Sequence, residues 1–212
     1  MPSTKKYRRR SQKEKKTRKQ FLTRLKKLYP SCKRDAESHN ELYKEHKVTY
    51  GEMEYEGIQK LYLFISKHFN SQIDCFIDIG SGRGKLCMFM AAQPKIKSVL
   101  GIELVTQRHN DAEQLKSELD SEYAGKVELV NTNALEFSFE KYNRNEIMIW
   151  MSNLCFDQST TDSIFRKLQS ELPSGTIICC SQATNNSIGT LIHKMPISMS
   201  WNKGSNVFIY EL

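Results

Sequence analysis

From residue 48 onward the chain alternates apolar runs of strand length with stretches of helical periodicity. Tyr55, Ile58, Leu61, Tyr62, Ile65 and Phe69 recur at three- and four-residue intervals and predict one helix with a single apolar face. Cys75-Phe76-Ile77 reads as a short buried strand, Leu86 to Ala92 as a helix ending before Pro94, and Ser98 to Ile102 as the next strand. Thr106 to Tyr123 predicts a polar-faced helix closed by Gly125, with a strand at Val127 to Val130. Glu146 to Met151 is a strand rich in Ile, Met and Trp; Thr161 to Leu172 is a helix stopped by Pro173 and Gly175; Thr176 to Ser181 is again a strand. Ser198 to Trp201 and Asn206 to Tyr210 pair as a hairpin around Asn202-Lys203-Gly204-Ser205. Strands alternating with helices and closing on a hairpin predict an α/β fold: a doubly wound, mostly parallel seven-stranded sheet with an antiparallel C-terminal edge.

The first 34 residues break this pattern. Lys5-Lys6-Tyr7-Arg8-Arg9-Arg10 is followed by Lys13, Lys15, Lys16, Arg18 and Lys19, a run that repels itself and holds too little apolar surface for a core. Phe21, Leu22, Leu25 and Leu28 then repeat at helical spacing up to Pro30. Residues 1–34 are therefore expected to be a basic, largely disordered tail with a short helix, and residues 35–212 a single folded domain. Charge sharpens the division. Residues 1–34 hold 15 Lys/Arg and one acid, whereas residues 35–212 hold 17 basic and 23 acidic residues. The net +8 of the chain thus hides a polycation joined to a mildly acidic domain. Such a segment binds phosphates without sequence preference, which makes nucleic acid the expected partner; nuclear targeting is a compatible use.

Six cysteines form no CxxC pair and mostly sit in apolar runs, so they read as small buried hydrophobes of a reducing compartment. His39, His46, His68, His109 and His193 share no ligand spacing, and no metal site is expected. No apolar stretch approaches the ~18–20 residues of a membrane span, and the charged N-terminus lacks a secretory h-region. An intracellular protein is expected.

The chemistry centres on Asp78-Ile79-Gly80-Ser81-Gly82-Arg83-Gly84-Lys85, placed after a buried strand and opening a helix. The glycines allow a tight turn and close approach of a ligand to the backbone. The spacing is G-x-G-x-G, not the G-x-G-x-x-G of dinucleotide binders. An acid before the first glycine would repel a pyrophosphate but suits a ligand carrying an ammonium group, as S-adenosylmethionine does. Glu103 ends the second strand, 19 residues after Gly84, about where an acid grips ribose hydroxyls. Asn133-Ala134 follows the third strand, where a side-chain amide suits an adenine edge.

Four segments taken together resemble one family. Val48-Thr49-Tyr50-Gly51-Glu52, Asp78–Lys85, Ser152-Asn153-Leu154-Cys155-Phe156 and Ser200-Trp201-Asn202-Lys203-Gly204 occur in the order found in the non-SET histone-lysine methyltransferases, the disruptor-of-telomeric-silencing family. Its members carry a Tyr-Gly-Glu loop, an Asp-Leu-Gly-Ser-Gly-x-Gly motif, an Asn-Asn-Phe-x-Phe segment and a late Ser-Trp. The resemblance covers roughly residues 40–212 and implies a class I, Rossmann-like methyltransferase domain using S-adenosylmethionine. By position it implies that Tyr50, Gly51 and Glu52 close over the methionine end of the cofactor. It gives the amino acid moiety to Asp78, Gly80 and Gly82, with Gly84 and Lys85 completing that loop, the ribose to Glu103, and the adenine flanks to Asn133 and Ala134. Asn153 is expected beside the methyl donor, with Phe156 walling a lysine channel and Tyr210 contributing an aromatic wall, alongside Trp201 and Phe208. The chain departs from the family in having Lys85 for a Gln, Asn133 for an acid, and Ser152-Asn153-Leu154 for Asn-Asn-Phe.

The resemblance implies a histone, in a nucleosome, as substrate, and hence a nuclear enzyme if the host is eukaryotic. An RNA or another protein as methyl acceptor, and a non-catalytic nucleic-acid-binding module, are the alternatives. The Asn-Pro-Pro-Tyr type of motif used on exocyclic base amines is absent.

Overall fold

The computed structural model describes residues 4–30, 49–69, 72–119, 121–143, 146–184 and 189–212. Helix α1 spans Thr4–Leu28 and α2 Tyr55–His68; β1 (Ile73–Ile79) turns into α3 (Lys85–Ala91), and β2 (Ile96–Glu103) into α4 (Thr106–Ser117). A one-turn helix, α5 (Ser121–Ala124), leads to β3 (Val127–Asn131). The second half comprises β4 (Ile147–Met151), α6 (Gln158–Glu171), β5 (Ile177–Cys180) and the hairpin of β6 (Thr190–Ile197) and β7 (Ser205–Glu211).

The seven strands form one sheet in the order β3-β2-β1-β4-β5-β7-β6. The first five are mutually parallel, and β7 pairs antiparallel with both β5 and β6. Winding outward from β1 to β3 and then back from β4 creates a switch point between β1 and β4, where a crevice opens at the carboxyl ends of the strands. The glycine loop after β1 and Ser152 after β4 flank that point.

Parallel central strands are buried on both faces, which is why they read as continuous apolar runs. Phe76, Met148, Trp150 and Cys179 face one core with α1, α2 and α3. Ile77, Ile149, Met151 and Ile178 face the other, built on Ile164, Phe165 and Leu168 of α6. Asp157 caps α6 by accepting from Thr160 N at 2.7 Å.

Three elements differ from the sequence reading. The helix expected over Thr106 to Tyr123 ends at Ser117, and the break lets Leu119 and Tyr123 both reach the core. The hairpin begins earlier: its first strand is β6, and Ser198–Trp201 belongs to the connection to β7. Pro196 and the mixed Thr190–Lys194 stretch hid β6, and an edge strand tolerates both. The N-terminal helix is one continuous element of 25 residues in place of a short helix after a disordered run. It contains neither Gly nor Pro and is rich in Lys, Arg, Gln and Leu, good helix formers. Phe21 and Leu25 are buried, and Phe21 meets Tyr123 edge-on at 4.9 Å. The end of the supposed tail is thus part of the domain core. The boundary expected between residues 34 and 35 lies outside the described residues, as do Cys32, His39, His46 and Val48. No helix among the described residues is long and apolar enough to cross a membrane.

Candidate active site

The loop after β1 is strapped to β2. Gly80 N and Ser81 N donate to Ile102 O at 2.8 and 2.9 Å. The Glu103 carboxylate then joins two turns: Oε2 accepts from Gly82 N at 2.7 Å and Oε1 from Val105 N at 2.8 Å. Gly82 is needed twice over. Its φ is +56°, and a Cβ there would lie 2.7 Å from Cε2 of Tyr50. Tyr50 therefore packs directly on the glycine loop. Two guanidinium groups lie over its ring, Arg108 at 4.8 Å and Arg83 at 5.1 Å, a doubled cation–π contact. Arg83 is itself held by Asp111, 2.8 Å from Nε.

The Tyr-Gly-Glu loop is fixed from its other side by the Ser-Trp segment, about 150 residues away in the chain. Glu52 N donates to Ser200 Oγ at 3.0 Å, Ser200 N donates to Glu52 O at 2.8 Å, and Met53 bridges Met199. A Cβ on Gly51 would fall 2.4 Å from Cζ3 of Trp201, so only glycine admits the indole at this place. Two motifs that are unrelated in sequence thus form one wall.

These walls enclose a cleft of about 400 Å³, within the roughly 300–1,000 Å³ usual for small-molecule sites. Of the residues expected at the cofactor, Tyr50, Gly51, Gly80, Gly82, Glu103, Asn133 and Ala134 line it, and so does Phe156. Asp78, Glu52 and Lys85 line a smaller adjoining cavity with Trp150, sharing Tyr50, Gly51, Gly80, Gly82 and Ser152 with the cleft. Gly84 is not among the lining residues; it opens α3 against Ala112 of α4. Arg108 and Trp201, by contrast, line the cleft, and sequence periodicity carried no signal for Arg108.

Asp78 shows what the smaller cavity accepts. It is the penultimate residue of β1 and is 2% exposed. Burial pushes its carboxyl up to about 7; the Cys87 thiol, donating at 3.5 Å, works against this, and the charge of Glu103 adds to it. A carboxylate desolvated beside another carboxylate favours a cationic ligand. Lys85 does not fill that role, because its ammonium is paired with Glu52 at 2.6 Å. Glu52 in turn accepts from the hydroxyls of Tyr50 and Tyr29. Glu52 and Lys85, expected to touch the cofactor, are thus bound to each other in this structure and set the shape of the loop. Half-buried Asn133 uses Oδ1 to accept from Leu135 N at 3.0 Å, which fixes its turn at the cleft wall.

Two of the three expected catalytic residues lie elsewhere. Asn153 is 0% exposed and does not line the cleft. Its Oδ1 accepts from Gln182 N at 2.9 Å and its Nδ2 donates to Gln182 O at 3.1 Å, clamping the chain ends after β4 and β5. Asn153→Ala should remove both bonds to the Gln182 backbone, leaving its carbonyl only the Cys180 thiol at 3.2 Å, and lower unfolding free energy by about 1–3 kcal/mol, read from urea denaturation. An unchanged midpoint would place the amide outside the fold's supports. Tyr210 is a core residue: it is buried edge-on against Phe165 at 5.6 Å, and its hydroxyl accepts from Thr184 N at 3.2 Å. Because β7 runs antiparallel to β5, Tyr210 pairs with Ile178, two residues back from the carboxyl edge. Phe208 packs against the α6-side core and lies under Lys194 at 5.1 Å. Phe156 and Trp201 remain as aromatic walls, with Leu154 and Trp201 the exposed apolar rim at 48% and 41%.

Solved structures with this fold include an RNA methyltransferase from Salinibacter ruber bound to S-adenosyl-L-homocysteine, 15% identical over 72% of this chain and 90% of that one, at a TM-score of 0.56. TrmK of M. capricolum, also with S-adenosyl-homocysteine, is 17% identical over 75% and 68% of the two chains, with a TM-score of 0.54. The glycopeptide N-methyltransferase MtfA is 12% identical over 74% and 96%, with a TM-score of 0.56. At these identities the likeness is one of fold, that of class I methyltransferases. No curated protein sequence matches the chain. The family described as "Histone methylation protein DOT1" matches residues 30–197, which span the glycine loop, Glu103 and the Tyr-Gly-Glu loop. By that match, extending over most of its length, the chain belongs to the DOT1 histone methylation family.

Proposed function

We propose that this chain methylates a lysine amine of a histone, holding S-adenosylmethionine across the two adjoining cavities, while α1 tethers it to nucleic acid. The observation that carries the reading is Asp78. A desolvated carboxyl at the switch point, pushed up to about 7 and facing a cavity beside the glycine loop, suits the ammonium of an amino acid moiety. The fit continues along the cleft. Glu103, held by two backbone N–H groups and 4.0 Å from the Arg108 guanidinium, stands at the cleft where ribose hydroxyls would lie. Asn133 and Ala134 stand where adenine would lie, and Tyr50 and Gly51 cover the methionine end. When bound, the cofactor supplies a sulfonium-activated methyl group.

The remaining work belongs to the acceptor side. A lysine amine must arrive neutral and in line with the donor, and water must be kept out. Leu154, Phe156 and Trp201 form an apolar entrance, and desolvation there lowers the pKa of an entering ammonium. The tether rests on charge: ten of the chain's 32 Lys/Arg lie in residues 1–20, and Gln12–Lys16 of α1 are exposed. A histone substrate puts the enzyme on chromatin, in the nucleus of a eukaryotic cell.

The test is methyl transfer from labelled S-adenosylmethionine to nucleosomes, free histones and total RNA. Label on histone lysine, greatest with nucleosomes, is expected. Label on RNA with none on histones would overturn the substrate, and no transfer with intact cofactor binding would overturn the activity.

A further inference from the structure

We propose that Tyr29, just past the last turn of α1, is a positioning residue of the cofactor site: it holds the Tyr50–Glu52 loop and so ties the N-terminal helix to cofactor binding. The inference rests on the reading of the cleft as an S-adenosylmethionine site.

Tyr29 continues the helix, its N–H donating to Leu25 O at 2.8 Å, and its own carbonyl accepts from the Tyr55 hydroxyl at 2.8 Å. The main chain is thereby fixed between α1 and α2. Its hydroxyl donates to Glu52 Oε1 and lies 3.0 Å from the hydroxyl of Tyr50. Lys85 holds the other carboxylate oxygen, Glu52 Oε2, at 2.6 Å, with its ammonium 5.6 Å over the Tyr29 ring. Burial first, and the charge of Glu52 second, hold the Tyr29 phenol protonated, so it is a donor at any working pH. Glu52 is buried, and two residues before it Tyr50 lies on the glycine loop and lines the cleft. Without the Tyr29 hydroxyl, one carboxylate oxygen loses a donor inside the protein, and the residue pair that closes on the ligand loses its lateral support. A Tyr that merely filled space would need no hydroxyl here. The sequence offered no hint of this, since no cofactor motif precedes Tyr50.

Tyr29→Phe keeps the ring and removes only the hydroxyl. Calorimetry with S-adenosylhomocysteine is expected to show about five- to twentyfold weaker binding, less than the full effect of one hydrogen bond to a charged group, because Tyr29 acts through the loop and not on the ligand. In steady state the KM for S-adenosylmethionine should rise by a similar factor, with kcat changing far less, because the loop supports binding and not the transfer itself. Glu52→Gln should weaken binding on its own and cost less in the Tyr29→Phe background, since both act on one hydrogen bond. Wild-type affinity retained within twofold in Tyr29→Phe, or full additivity of the two substitutions, would overturn the inference even if the melting temperature fell. A wild-type protein that bound no S-adenosylhomocysteine would instead overturn the cofactor reading beneath it.

Discussion

Asp78→Asn should weaken S-adenosylhomocysteine binding by about 10- to 150-fold at pH 8, the loss expected when a charge-assisted hydrogen bond becomes a neutral one. The pH dependence should be as informative as the size. With the carboxyl pushed up to about 7, most of the wild-type protein is protonated at Asp78 below neutrality. An ammonium ligand needs the ionised form, so wild-type affinity should fall as pH drops below about 7 and level off above it. Binding at pH 6 should release a proton, seen as a buffer-dependent calorimetric enthalpy. Asp78→Asn should show neither effect. Stability should move the opposite way. The folded pKa lies above the unfolded value of about 3.9, so this group's contribution is fully present below pH ~4 and lost as pH rises through about 7. Ligand-free Asp78→Asn should therefore melt higher than wild type at pH 8 and lose that advantage toward pH 4. A variant that binds as tightly as wild type at pH 8 would remove Asp78 from the cofactor site.

Deleting residues 1–20 should abolish most salt-dependent binding to duplex DNA or nucleosomes while leaving S-adenosylhomocysteine affinity within twofold. The segment carries ten Lys/Arg against Glu14 alone, on a helix that spans about 37 Å at 1.5 Å per residue. Each phosphate that the shortened chain no longer neutralises should make the slope of log affinity against log salt shallower by about 0.9. Neutralising six to ten phosphates corresponds to roughly 10³- to 10⁵-fold between 50 and 200 mM salt. Extending the deletion to residue 29 is a different experiment. It removes Phe21, Leu25 and Tyr29 from the core and should lower both stability and cofactor affinity. Equal salt slopes for the full chain and the shorter deletion would end the tethering idea and leave the cations to another use.

Much of this was legible in the chain. The apolar runs of β1, β2, β4 and β5 announce a parallel sheet because strands buried on both faces have no polar side to alternate with. Asp78, the glycine loop and Glu103 were readable because each sits at a strand end, where backbone geometry and ligand chemistry restrict the residue type locally. The same local signals placed Asn133 and Ala134 after β3. What failed was inference from short motifs to side-chain direction. Asn153 follows β4 as expected, yet its amide turns to the Gln182 backbone, because a side-chain amide that is itself fully buried needs partners for its donor and its acceptor. Tyr210 was misplaced because the antiparallel register of β7, which no local pattern encodes, carries it away from the carboxyl edge.

By itself, then, the sequence determined the order of the five parallel strands, the glycine turn, the acids at the ends of β1 and β2, and the charge asymmetry between the first 34 residues and the rest. These depend on periodicity, backbone freedom and composition, all properties of neighbours in the chain. Only the tertiary structure decided which distant residues share a wall: Gly51 against Trp201, Glu52 bonded to Lys85 and Tyr29, and Tyr50 in contact with Arg83 and Arg108. It also decided that α1 joins the core, since two buried side chains outweigh the self-repulsion of a polycation only once a partner surface exists to receive them.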